Sequence, residues 1–181
     1  ALAAAQNALA TLPDNPELLD VLGRTQVAAG EANQAVITYN KLATLQPQSP
    51  QAQLRLAGVY LANKNPDGAA QSLRKALEIK PDLLEAQRGL AGLAMDNKKS
   101  SDALAISRDI QKQRPKEAAG YVLEGDIQSS QKNWDAAAVA YKNGLKQVSS
   151  PELAIKLHTT LAAGGKKAEA DKFASDWQKD N

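Results

Sequence analysis

The residues able to do chemistry are few, and their spacing does not assemble them. His158 is the single histidine of the 181-residue chain, and there is no cysteine. One imidazole rules out a pair of histidine ligands and the HExxH zinc motif, and the lack of thiols removes disulfides, thiolate nucleophiles and cysteine-based zinc sites. A Ser/His/Asp triad would have to use His158, and a triad is recognised by geometry rather than by the presence of its members. Glu124 and Asp126 are the carboxylate pair to weigh for acid–base work. Two residues apart on a helix they diverge, so they do not share a substrate, and Glu124 reads as a polar residue at the edge of a groove. Neither GxxxxGK[ST] nor GxGxxG occurs, and "GLAG" at 89–92 falls inside a helical stretch. The expectation is a chain with no catalytic residue, no metal ligand and no cofactor.

Charge excludes further classes. Lysine and arginine total 22 against 20 carboxylates, and only 4% of residues are aromatic. Both signs are spread along the chain, without the clustered basic face and stacking aromatics of a nucleic-acid binder. The runs "NKKSSD" and "GGKKAE" read as solvated turns. No apolar run approaches the ~20 residues needed to cross a bilayer. The opening "ALAAAQNALA" lacks a basic leader, is interrupted by Gln6 and Asn7, and has no initiating methionine, which suggests an interior piece of a longer protein.

The elements that position these residues are announced by proline. Pro13, Pro47, Pro81 and Pro115 stand 34 residues apart; the next slot is Ser149, with Pro151 close behind. Small residues keep the same step at Gly23, Ala57, Ala91 and Gly125, and alanine at Ala1, Ala35, Ala69, Ala103 and Ala137. A fixed 34-residue period signals a helix–turn–helix repeat array. Within one period, Leu54, Leu56, Val59, Tyr60 and Leu61 form one apolar stripe and Ala69, Ala70, Leu73, Ala76, Leu77 and Ile79 a second, each at helical spacing.

A second set of prolines opens helices. Asn15–Pro16, Ser49–Pro50, Asn65–Pro66 and Ser150–Pro151 each place a capping side chain before a proline in the first helical turn, where its missing N–H costs nothing. Asp82 and Glu85 form a capping-box pattern. The small columns let helix backbones approach, since overpacking there would cost about 1–3 kcal/mol. Trp134 and Trp177 read as core or inter-repeat wedges rather than ligand platforms.

With this period and these columns, the chain resembles the tetratricopeptide repeat proteins. The likeness rests on the Leu–Gly/Ala pairs Leu22–Gly23 and Leu56–Ala57, the internal alanine, the terminal proline and the aromatic Tyr39. It implies an all-α solenoid, a right-handed superhelix of stacked antiparallel helix pairs with about 11 helices. Residues 1–13 would be the second helix of a truncated repeat; 16–49, 50–83, 84–117 and 118–150 full repeats; 151–181 a final repeat; together 1–181 form a single solenoid. Departures fall at Ser107 and Ile110, at Glu124 in a leucine column, and in the last repeat, which steps by 33 and puts His158 in the small column. The stretches "LPDNPELLDVLGRTQVAAGEANQAV", "LRKALEIKPDLLEAQRGL" and "RPKEAAGYVLEGDI" are also similar to the long tetratricopeptide lipoprotein of the PEP-CTERM/exosortase system. That likeness implies a periplasmic or envelope-associated, lipid-anchored protein of a Gram-negative bacterium, accompanying exopolysaccharide production and protein sorting.

In the family the first helix of each pair lines a concave groove. By that resemblance the groove candidates are Asp20 and Arg24, Leu54 and Gly58, Arg88 and Gly92, and Val122 and Asp126; ordinary exposed residues are the alternative for each. The mixture of charge, apolar surface and glycine suits a peptide or protein segment better than a polyanion. Asp20, Arg24 and Glu85 do not reproduce the Lys/Asn/Arg clamp of chaperone-tail binders. The expected function is a non-catalytic interaction scaffold. Alternatives are an envelope protein touching exopolysaccharide directly, or a structural protein self-associating through exposed terminal helices.

Overall fold

The computed structural model describes residues 2–180, and among them lie eleven helices and no strand. They are α1 (Leu2–Thr11), α2 (Pro16–Ala28), α3 (Ala32–Leu45), α4 (Pro50–Ala62), α5 (Pro66–Ile79), α6 (Leu84–Asp96), α7 (Ser100–Gln113), α8 (Ala119–Ser130), α9 (Trp134–Gln147), α10 (Pro151–Ala163) and α11 (Lys167–Asp180). The fold is all-α and of the tetratricopeptide solenoid type. Contacts divide the chain into two compact units, Ala1–Leu93 and Ala94–Asn181.

Helix starts follow the proline reading. The N–H groups of Leu18, Ala52, Gly68 and Leu153 donate to the side chains of Asn15, Ser49, Asn65 and Ser150 at 3.0, 3.3, 2.9 and 3.4 Å. Each bond satisfies one donor that a helix N-terminus leaves open. At α6 the start lies one residue later than the Asp82/Glu85 pattern implies. The helix begins at Leu84, and the Gln87 N–H bonds the Leu83 carbonyl at 3.1 Å, so Leu83 holds the capping position and Asp82 lies one residue outside it.

The turn inside each helix pair is built one way five times. Gly30, Lys64, Lys98, Lys132 and Gly165 all have positive φ, between 53° and 79°. In each case the next N–H reaches back five residues: Glu31 to Gln26, Asn65 to Tyr60, Lys99 to Ala94, Asn133 to Gln128 and Lys166 to Leu161, at 2.8–3.0 Å. This is the six-to-one bond of a helix closed by a left-handed residue. Glycine occupies that conformation without a Cβ penalty, whereas three lysines accept a penalty of about 1 kcal/mol.

Between the helices of a pair, size is complementary. The Gly23 Cα faces the Tyr39 ring and the Gly125 Cα the Tyr141 ring; a Cβ would lie 2.5 Å and 2.1 Å from those rings. Where the small residue is Ala57, its partner is the smaller Leu73, in the same buried cluster. In the first unit one core gathers Leu19, Tyr39, Leu42, Ala52, Leu56 and Val59 from α2, α3 and α4, and a second joins α4, α5 and α6 through Ala57, Leu73 and Ala86. In the second unit Tyr121, Tyr141, Leu153, Leu157 and Leu161 form the core of α8, α9 and α10. Burial at ~25 cal/mol per Å² makes these seams the main source of stability.

Candidate binding groove

Local helical spacing puts Asp20 and Arg24 one turn apart on α2, and the next repeat brings Leu54, Arg55 and Gly58 opposite them on α4. Two adjoining depressions follow this seam in the first unit, about 540 and 490 Å³ in volume. Arg24, Leu54 and Gly58 line the first together with Val27, Arg55 and Glu85. Asp20 and Arg24 line the second, again with Arg55. A Cβ on Gly58 would meet nothing within 4 Å, so the floor here is open backbone.

Asp20 is the hub. Its carboxylate lies 3.2 Å from the Nε of Arg24 and 3.2 Å from the Nε of Arg55. The Tyr39 hydroxyl donates to it from beneath, at 3.3 Å to both Oδ1 and the backbone carbonyl. Burial, and next the negative Asp20, push the Tyr39 hydroxyl up to about 12, against the opposing pull of Arg55 and Arg24. Asp20 thus holds two arginine side chains along the groove wall while their charge stays half exposed.

The second unit repeats the motif in a different register. The Tyr141 hydroxyl donates to Asp126 Oδ1 at 2.7 Å, and Lys156 Nζ lies 2.8 and 3.0 Å from the two carboxylate oxygens. Burial and the Asp126 hydrogen bond raise the Tyr141 hydroxyl above its ordinary value.

The remaining candidates divide. Arg88 and Gly92 are exposed on α6, and a Cβ on Gly92 would also enter open space. Val122 is only 3% exposed and belongs to the core with Tyr141 and Leu153, so its side chain is not open to a groove. Glu124 is tied down within its unit, accepting from Gln111 Nε2 at 2.7 Å and facing Arg108 Nε at 3.6 Å, so it joins α7 to α8. His158 is half exposed, its Nε2 4.0 Å from Asp171 Oδ1. Trp134 packs on Gly164, as a wedge between α9 and α10 would. Trp177 instead lines an open cavity. Among the described residues no three His, Cys, Asp or Glu side chains gather to hold a metal ion, and no helix is long and apolar enough to cross a membrane.

Arg55 is the groove residue that the sequence did not single out. Its signal was available: once the last repeat is stepped by 33, Arg55 and Lys156 share a column, one residue past Leu54 and Ile155.

Residues 21–83 match one tetratricopeptide repeat profile and residues 60–124 match a second, together covering more than half of the chain. The chain is a tetratricopeptide repeat protein. Solved tetratricopeptide structures resemble it along nearly all of its length. MamA superposes with a TM-score of 0.65 at 18% identity, over 91% of this chain and 90% of that one. A tetratricopeptide repeat protein from Parabacteroides merdae gives 0.66 at 18%, over 98% and 70%. YrrB, described as having an unusual peptide-binding site, gives 0.61 at 16%, over 100% and 95%. At these identities the likeness establishes the fold. No curated protein matches the chain by sequence.

Proposed function

We propose that this tetratricopeptide protein is a non-catalytic scaffold whose α2–α4 groove binds an extended segment of a partner protein. The observation that carries the reading is the seam where Arg24, Arg55, Leu54 and the bare backbone of Gly58 line one open depression. Arginine forks recognise carboxylates and backbone carbonyls, Leu54 and Val27 supply an apolar stripe, and an unobstructed glycine lets a ligand backbone approach. The peptide-binding site described for YrrB supports the same use of the fold. Arg88, Gly92 and Asp126 are proposed as further contact points along first helices of later repeats.

The proposed setting is a Gram-negative envelope assembly linked to exopolysaccharide production and PEP-CTERM protein sorting, supported by the wording of residues 12–36, 73–90 and 114–127. Immobilised protein is exposed separately to cytoplasmic and envelope extracts, beside a Gly58→Leu column. A protein retained only from the envelope, and lost on Gly58→Leu, supports both groove and setting. Equal retention on the two columns removes the groove from the function, and retained polysaccharide would favour direct contact with exopolysaccharide.

A further inference from the structure

The two depressions of the α2–α4 seam share Arg24, Gln51 and Arg55 in their walls, so the pair of arginines forms the divide between them. Beyond that divide each side turns apolar. Val27 and Leu54 line the first depression, Pro16 and Val21 the second. Val21 and Val27 are themselves 38% and 40% exposed. Each depression is also bounded by a carboxylate, Glu85 of α6 in the first and Glu17 of α2 in the second. From Glu17 to Glu85 the lining therefore runs acidic, apolar, basic, apolar, acidic.

The divide keeps a net positive charge. Two guanidinium groups face the single Asp20 carboxylate, and the side chains of Arg24 and Arg55 remain 57% and 49% exposed. Length sets the scale of what can lie across it. From Pro16 to Val27 α2 covers about 16 Å, at ~1.5 Å per residue. Five residues of extended chain cover about 13 Å, with the first, third and fifth side chains on one face.

We propose that the segment bound across α2 and α4 is an internal stretch with one acidic residue and an apolar residue two positions to either side of it. This preference rests on the binding role proposed above for the groove and names the chemistry the groove selects. The central carboxylate meets Arg24 and Arg55, which Asp20 holds side by side. The two apolar side chains enter the depressions at Val21 and at Val27 and Leu54, and Gly58 leaves room for the backbone between them. Glu17 and Glu85 repel an acidic residue placed outside the apolar pair, so the position of the charge decides binding rather than its amount. A terminal carboxylate fits less well, because a chain that stops at the divide leaves one depression empty.

Two acetylated and amidated peptides of identical composition test this, Ser-Ser-Leu-Ser-Glu-Ser-Leu-Ser-Ser and Glu-Ser-Leu-Ser-Ser-Ser-Leu-Ser-Ser, titrated into the protein with amide chemical shifts as the readout. The first is expected to bind at least about fivefold tighter, with shifts centred on α2 and α4. Arg24→Gln combined with Arg55→Gln should bring the two peptides to equal affinity. Glu17→Gln combined with Glu85→Gln should improve the second peptide more than the first. Equal affinities for the unaltered protein, or no saturation by either peptide up to about 1 mM, overturn the preference. Tighter binding by a peptide that ends in a free carboxylate at the glutamate also overturns it, making the ligand a chain end. Gly58→Leu keeps the two levels apart. Peptides that bind equally and are both weakened by Gly58→Leu leave the groove in place and remove the preference, whereas binding indifferent to Gly58→Leu removes the groove itself.

Discussion

The two tyrosine hubs solve one packing problem with different electrostatics. In both, a glycine of the first helix lets a ring from the second lie flat against backbone, and the hydroxyl emerges at a carboxylate that a cation of the next repeat also reaches. The carboxylates are not in equivalent positions. Asp20 precedes its glycine by three residues and Asp126 follows its own by one, a full helical turn further along. The ring tip reaches both because residues four apart share a helix face. The turn of difference decides the partners. Asp20 sits one turn before Arg24 and collects two arginines, while Asp126 is gripped at both oxygens by Lys156 alone. The repeat therefore fixes the ring, and the residues around the ring tip give one copy two arginines and the other a single lysine.

Removing the rings is the harshest way to test that equivalence. Tyr39→Ala and Tyr141→Ala each delete a side chain only 1% exposed and should cost about 3–5 kcal/mol in urea unfolding. Contacts in a repeat array are between neighbours, so hydrogen exchange should accelerate in α2–α4 for the first variant and in α8–α10 for the second. Uniform acceleration along the chain would contradict the local picture. Alkaline pH gives the next largest effect. Folding holds the Tyr39 proton up to about 12, whereas an unfolded tyrosine releases it near 10. The folded chain then binds more protons across that window, so its stability is complete below pH 10 and falls by about 1.4 kcal/mol per pH unit toward 12. Tyr39→Phe should flatten that part of the wild-type curve, isolating it from lysine titration, and Tyr141→Phe should do likewise because its shift has the same direction.

Glycine substitution ranks the two hubs against each other. Alanine improves helix propensity by up to about 1 kcal/mol, but its Cβ must enter the ring, which costs about 1–3 kcal/mol. The closer approach at Gly125, 2.1 against 2.5 Å, makes Gly125→Ala the more damaging. Gly58→Ala meets open space and should be stabilising by about 0.5–1 kcal/mol. Melting temperatures in the order Gly58→Ala, wild type, Gly23→Ala, Gly125→Ala are expected, and a reversal of the last two would mean that Tyr141 yields more easily than Tyr39.

Much of this architecture is legible in sequence because proline, glycine and capping residues act locally. A proline after Asn or Ser at 15, 49, 65 and 150 allows few local conformations, and all four helices begin there. At Asp82 the pattern runs one residue early, since α6 begins at Leu84 and the Gln87 N–H bonds the Leu83 carbonyl. Val122 misled through its column. A column predicts which side of a helix a residue takes, yet Asp20 and Leu54 are partly open while Val122 is covered, since burial depends on what the next repeat places there. Arg55 was hidden because its role is defined by a contact with Asp20, 35 residues away, and only the one-residue shortening of the last repeat aligns it with Lys156. The left-handed lysines gave no warning at all: glycine marks that turn at 30 and 165, but nothing in a lysine announces positive φ.

The smallest expected effect separates the hubs most finely. Lys156→Met removes the sole cation on Asp126, and an ion pair this exposed should cost no more than about 1 kcal/mol, vanishing as salt rises toward about 1 M. Arg55→Met should cost less, because Arg24 remains one turn from Asp20 on the same helix. The redundancy has a signature. Arg24→Met and Arg55→Met should each be nearly silent, while the double variant leaves the Asp20 carboxylate with the Tyr39 hydroxyl as its side-chain partner and loses more than the two singles together. A double-mutant cycle in urea measures that excess. Strict additivity would mean that the arginines act independently on Asp20, and the groove wall would then be two exposed side chains rather than one charged unit held in place for a ligand.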